Sequence, residues 1–212
     1  DVFVEKGFGS ARAEDVAARA GVSKGTLYLY YDSKEALLKA VIKHYFSATI
    51  ASGAMQMASH PGPVGPGLRQ LLVESWTRLL DSPASGVVKI IFTDARNFPD
   101  IATFYEREVI EPFHALVGEM IERGIQHHEF RRVHVRDAVD SLMMPLVLLC
   151  LHKHSLGACG CATSVQDVRR FMANHLDIVF SGLQWRADAP RPTASAAAAP
   201  ARIAVTTAAL AP

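Results

Sequence analysis

Cysteine is scarce in this chain. Cys150, Cys159 and Cys161 are the three in 212 residues, bunched into one short stretch. A small secreted domain spreads its cysteines as a disulfide framework, so this distribution argues against that class and makes the cytoplasm the expected compartment. Long apolar runs are also missing. The longest, "LMMPLVLLCL" from Leu142 to Leu151, is about half of a membrane span and contains Pro145. It reads as a buried helix, with no membrane partner. Excess charge is lacking too: a net charge of +1 leaves any docking on phosphates to a local patch.

Catalytic patterns are absent. Nine histidines and many carboxylates occur, but no Gly-rich phosphate cradle, nucleophile elbow or paired metal-binding His motif arranges them. The chain is therefore not expected to be an enzyme or to need a cofactor. No internal repeat is evident. After Trp185, the stretch "RADAPRPTASAAAAPARIAVTTAALAP" has almost no large side chains, so 186–212 reads as a flexible Ala/Pro-rich tail.

What remains is helical pattern divided by Gly and Pro. A first helix ends at Gly7, "ARAEDVAARA" forms a second, and Gly21 closes it. Ser23 caps a third, from Lys24 to Tyr31. Asp32 with Glu35 three residues on starts a fourth, running toward Ala58. "HPGPVGPG", 60–67, is expected to be non-helical and to separate the N-terminal unit from the rest. "LRQLLVESWTRLL" and "SGVVKIIFTDARN" give two further helices. A long stripe from Ile101, capped by Asp100 and kinked at Pro112, gives another. "DAVDSLMMPLVLLCLHKH" is apolar all round its middle, whereas the last helix carries one wide stripe. Such helices need cover, which a second copy of the chain could supply.

The fold class expected is all-α, with an N-terminal three-helix helix-turn-helix domain and a larger helical domain for ligand binding and dimerisation. The boundaries expected are 1–45, 46–185 and the tail. Leu142, Leu146, Leu149, Phe171, His175, Val179 and Leu183 are the candidates for the dimer face.

The stretch "GVSKGTLYLYYDSKEALL", from Gly21 to Leu38, crowds three tyrosines and two lysines onto a short helix. Small Ala17, four residues before Gly21, with Val16, Ala20, Val22 and Leu27 around it, matches helix-turn-helix packing, in which Val22 and Leu27 fill the wedge. That leaves Ser23, Lys24, Gly25, Thr26, Tyr28, Leu29 and Tyr30 facing out. Hydroxyls and an ammonium are phosphate donors, and Gly25 lets a backbone approach closely. Tyrosines at helical spacing also cover ordinary cores, and Tyr31 is read that way.

On these residues Gly7 to Ile42 resembles the DNA-binding domain of TetR/AcrR-type transcriptional regulators, whose pattern is met by Gly7 and by "DVAARAGVSKGTLYLYYDSKEALL". More loosely, "NFPDIATFYEREVIEPFHALVGEMIERGIQHHEFR" is similar to that family's ligand-binding region, and "LHKHSLG" with the last helix to its dimerisation pair. The resemblance implies an all-helical homodimer on a palindromic double-stranded DNA operator, usually as a repressor. A small-molecule effector would change the spacing of the two reading heads.

Under that reading Arg12, Lys24, Tyr28, Tyr30 and Lys34 hold phosphates, while Thr26 and Leu29 touch base edges. Four positions depart from the family pattern. Leu29 replaces a polar residue, Tyr31 the usual phenylalanine, and Ala11-Arg12 a Thr-Ser pair.

An apolar or aromatic effector is expected in the larger domain, among Trp76, Phe92, Phe104, Tyr105, Phe113 and Met120. Arg96, His114 and His152 are polar selectors in this reading. The rival feature is "CLHKHSLGACGC". Its Cys150, His152, His154, Cys159 and Cys161 could bind a soft metal or sense oxidation, although the spacing fits no standard zinc module.

Overall fold

In the computed structural model, which describes residues 1–160 and 167–184, the Gly and Pro punctuation becomes a set of helix ends. Gly7, at φ 76°, stops α1 (Val2–Lys6). Gly21, at φ 70°, turns the chain between α2 (Ala13–Arg19) and α3 (Lys24–Tyr30). A side chain would strain that left-handed backbone.

The fourth helix, α4 (Lys34–Ile42), is capped by Ser33, which accepts from the Ala36 N–H at 3.0 Å. Asp32 was the expected cap. Ser33 presents its oxygen one residue closer to the helix, and Asp32 is left exposed. α4 continues through one π turn (Lys43–Ser47) into α5 (Ala48–Ala58), so the long rod expected from the sequence is present. Residue 45, the expected domain boundary, lies inside that rod.

The 60–67 stretch is not wholly irregular. α6 (Val64–Asp81) begins inside it and places Pro66 in its first turn, where a missing N–H breaks no bond. The Glu129 carboxylate accepts from the Val64 and Gly65 N–H groups, both at 2.9 Å, satisfying donors every helix start leaves open.

Next come α7 (Ser85–Asp94), α8 (Pro99–Tyr105) and α9 (Glu111–Gln126). Phe98, not Asp100, occupies the cap position of α8. Pro99 fits the first helical position, and Asp100 moves into the first turn beside the positive end of the helix. The kink expected at Pro112 is a π turn, Glu106–Ile110, directly before it. Proline has no N–H to continue the regular ladder, so the hydrogen bonding slips by one residue.

The chain finishes with α10 (Val135–His154) and α11 (Val168–Leu183). Among the described residues the one β feature is an isolated bridge between Phe130 and Gln184. The fold is all-α, with α1 to α4 as the helix-turn-helix domain and the remaining helices as the larger one.

The two domains share a packed joint. α1 lies on α7 so closely that a Cβ at Gly86 would sit 2.4 Å from a Val4 methyl, and α4 lies on α8. Phe98 meets Phe8 edge-on at 4.8 Å beneath them. In the larger domain α10 packs on α7, α9 and α11, and α11 packs on α6. Leu68, Leu72, Ile121, Leu142, Met172 and Leu176 form the dry centre.

α10 corrects two expectations. By length and composition it could cross a bilayer, because its apolar character extends beyond the ten-residue run that the sequence emphasises. Its faces also differ. Val139, Leu142, Leu146 and Cys150 are buried in the chain's own core, while Met144 and Leu148 point outward. On α11, Met172, Leu176, Phe180 and Leu183 turn inward and Phe171 and Ile178 outward.

Leu142, Leu146 and Leu183, expected on the dimer face, are therefore core residues. Leu149 and Val179 are half-buried. His175 is spent on a neighbouring helix, a ring nitrogen lying 3.2 Å from the Ser141 carbonyl. The 3.6-residue period lets an evenly apolar helix serve two surfaces, and the sequence does not say which residue goes to which.

Candidate functional site

α3 has no buried residue, which is unusual for a helix carrying two tyrosines and two leucines. Leu29 is 83% exposed and Tyr30 78%, with Tyr28 beside them. What holds the helix is its base. Ala17 is almost fully buried at the crossing with α2, and Leu27 is half-buried. Val22, expected in the wedge, is largely exposed. Its backbone N–H bonds the Ala17 carbonyl at 3.0 Å, so at this position the main chain makes the contact.

Ser23 and Thr26 are partly committed. The Ser23 oxygen accepts from the Thr26 N–H at 3.0 Å, and the two hydroxyls lie 2.8 Å apart. Ser23 is first a helix cap. Gly25 stands in the open: a Cβ there would meet nothing nearer than the Ser23 hydroxyl at 3.7 Å. The fold itself does not demand glycine at 25.

The cations divide into two kinds. The Lys24 ammonium lies 2.5 Å from a Glu14 oxygen and over the Tyr28 ring at 5.7 Å. The contact lowers the Glu14 pKa, mainly through this hydrogen bond, and raises that of Lys24 by the same bond. Both groups are solvated, so the pair adds little stability and can open. Arg12 is exposed and, among the described residues, in no ion pair. Its backbone N–H donates to the Asp15 carboxylate at 3.1 Å, the bond from the third helical residue back to the cap residue in a capping box.

Lys34 is different. Its ammonium donates to the carbonyls of Phe8, Gly9 and Ala11 at 2.8, 3.3 and 3.2 Å and sits over the Phe8 ring at 4.6 Å. It ties the loop between α1 and α2 to α4. Those three carbonyls hold the charge in this structure.

The second candidate is a cavity of about 240 Å³ between α5, α6, α8, α9 and α10. Of the nine expected pocket residues, Trp76, Tyr105 and Phe113 line it. Phe92 and Arg96 are exposed on α7 and the turn after it. Phe104 lies under the cations of Lys39, Lys43 and Arg107. Met120 is buried elsewhere in the core. His114 pairs with Asp140 at 3.2 Å, and His152 is half-buried near the end of α10 outside the wall. On α9 the expected Phe113 faces the cavity, while His114 and Met120 do not line it.

The sequence reading missed Phe46 of the π turn before α5, Ile50 and Gly53 of α5 and Leu72 of α6, which supply the opposite wall. The spacing of three or four along α5 was the available signal.

Among the described residues the Cys/His segment does not assemble. Cys150 is fully buried, and burial pushes its thiol up to about 12, far from the thiolate a metal needs. His154 has a ring nitrogen 2.8 Å from the Ser85 hydroxyl, and burial lowers its pKa. Cys159 is exposed on a short turn, and Cys161 lies outside the described residues. Among the described residues no three His, Cys, Asp or Glu side chains gather as metal ligands.

With this geometry in hand, residues 1–41 match the family model for "Bacterial regulatory proteins, tetR family". The uncharacterized HTH-type transcriptional regulator YuxN of Bacillus subtilis is 38% identical over 48 residues, 23% of this chain and 16% of that protein. The HTH-type transcriptional activator FasR of Mycolicibacterium smegmatis is 28% identical over 137 residues, 64% of this chain and 61% of that one. The chain thus spans less than two thirds of either relative. Among solved structures, the transcriptional regulator FadR of Bacillus subtilis, in complex with stearoyl-CoA, shares the fold. Its TM-score is 0.69 at 17% identity, over 86% of this chain and 94% of that one.

Proposed function

We propose, from the match of residues 1–41 to the model of the tetR family of bacterial regulatory proteins, that this chain is a ligand-responsive DNA-binding regulator. It binds a palindromic operator as a homodimer and is released by a small apolar or aromatic effector, the default being repression. The observation that carries the DNA half is the crest of α3, where Leu29 and Tyr30 stand in solvent on the helix that Lys24 begins.

Tyr28, Tyr30, Lys24 and Arg12 meet phosphates, and Leu29 offers a methyl-rich surface to thymine. Two such crests about 34 Å apart would read successive turns of one groove. The outward face of Met144, Leu148, Phe171 and Ile178 is the surface on which the second copy packs. The cavity supports the effector half, and the fold-mate FadR bound to stearoyl-CoA is in keeping with a lipophilic ligand.

The test is selection of genomic DNA fragments by the purified protein at two salt concentrations, followed by sequencing. One shared palindrome, held less tightly at higher salt, is the expected result. Weak retention without a common motif would contradict it.

A further inference from the structure

The cavity wall is hydrocarbon except for seven side chains with N–H or O–H groups, Tyr45, Thr49, Ser75, Trp76, Arg78, Ser82 and Tyr105. Three of these have already spent their hydrogens. Thr49 donates to the Tyr45 carbonyl at 2.8 Å, Ser75 to Leu71 at 2.6 Å and Ser82 to Leu79 at 2.9 Å, each on its own helix or the end of it. Tyr45 and Arg78 reach solvent at the rim. Trp76 and Tyr105 are left, an indole N–H and a phenolic O–H.

Tyr105 is only 6% exposed, with its ring against Phe46 at 5.7 Å, and its hydroxyl has no hydrogen-bond partner among the described residues. Nor is it sealed away, because among those residues no fully enclosed side-chain polar atom lacks a partner. The open space Tyr105 borders is the cavity. Burial, with Cys150 nearby, raises its pKa, so the group remains a neutral O–H donor at physiological pH. An unpaired donor in an apolar wall is costly, and a ligand that supplies an acceptor removes that cost.

We propose that Tyr105 determines effector specificity by donating its phenolic hydrogen to a carbonyl, ester or hydroxyl oxygen on a ligand that is otherwise hydrocarbon. This rests on the effector cavity of the reading above and names the class of molecule it takes. A charged group deep in the site would be unpaired, because Arg78, the one cation in the described wall, stands at the exposed rim. The space exceeds the cavity of about 150 Å³ that admits benzene in another protein, so an aromatic ring with a short chain suits it.

Propiophenone and propylbenzene make a matched pair, with and without the oxygen, and headspace partition measures both. Tyr105→Phe should weaken propiophenone about tenfold, leave propylbenzene unchanged and not lower Tm. Thr49→Val, whose hydroxyl is spent on its own helix, should leave the ratio of the two affinities as in the wild type. Equal changes for both compounds, no change for either, or a lower Tm in Tyr105→Phe would overturn the assignment. If neither compound enters the wild-type protein, the effector cavity itself fails, and Tyr105 with it.

Discussion

The head and the cavity solve opposite problems with similar residues. α3 places tyrosine and leucine in water, whereas the cavity wall places Tyr105, Trp76 and Phe46 almost wholly out of it. Apolar surface in solvent has a cost that an isolated chain does not recover, so its presence on a helix braced from behind marks a surface awaiting a partner. Open apolar space inside a core is also uncommon, since interiors pack like organic crystals. The head is specific through what it presents and the body through what it leaves open. Lys34 stands between them, its ammonium over Phe8 and within 5.9 Å of the Phe98 ring centre from the larger domain.

The largest expected effect separates the two faces of α10. Leu142→Ala should cost about 3 kcal/mol in denaturant unfolding, since the side chain is fully buried and leaves a void. Leu148→Ala should change folding by less than about 0.5 kcal/mol but weaken self-association, seen by sedimentation. Equal destabilisation by both would erase the distinction between core and outer face.

Next in size is Lys34→Ala. Losing a charged donor from three carbonyls should cost about 2 kcal/mol of stability, with the salt slope of DNA binding unchanged. A flattened slope at unchanged Tm would restore Lys34 to phosphate contact. Lys24→Ala should do the reverse, keeping Tm and reducing the slope by about one ion.

A pH experiment probes the body alone. The Cys150 thiol is held above its ordinary 9.0, at about 12, so the stability it contributes is complete below pH 9 and drains as pH rises toward 12. Cys150→Ala should remove that part of the alkaline loss in urea titrations at pH 8 and pH 11. An identical alkaline loss in the variant would contradict the buried thiol.

The smallest effect is expected at Gly25. Alanine fits there, so Tm should hold or rise slightly through helix propensity, while DNA affinity falls because the added methyl stands where a backbone would approach. Unchanged affinity would show that α3 does not approach DNA at that point.

The head was legible because its signals are local. Glycine at 7 and 21, the Ser23 cap and the small Ala17 each act within a few residues, and the structure follows them closely. The carbonyl contacts of Lys34 were not foreseen because its partners lie more than twenty residues away, and nothing in "SKEALL" indicates that three carbonyls will surround the ammonium. The same distance problem governs the cavity. Which face of α9 meets α5 is decided by packing between elements joined late in the chain, so Phe113 was found and Met120 misplaced. Leu142 and Leu146, expected on the dimer face, went to the core for a related reason, since α10 is apolar on all sides and only its neighbours choose the inner one.

The most direct test of the central claim pairs DNA selection with a folded variant. Tyr28, Leu29 and Tyr30, all exposed, are replaced together by alanine, and bound genomic fragments from variant and wild type are sequenced. The wild type should return one palindromic motif, and the variant, with an unchanged Tm, should return none. A variant that recovers the same motif with the same strength would contradict the account, because the crest of α3 would then be surface and not a reader of DNA.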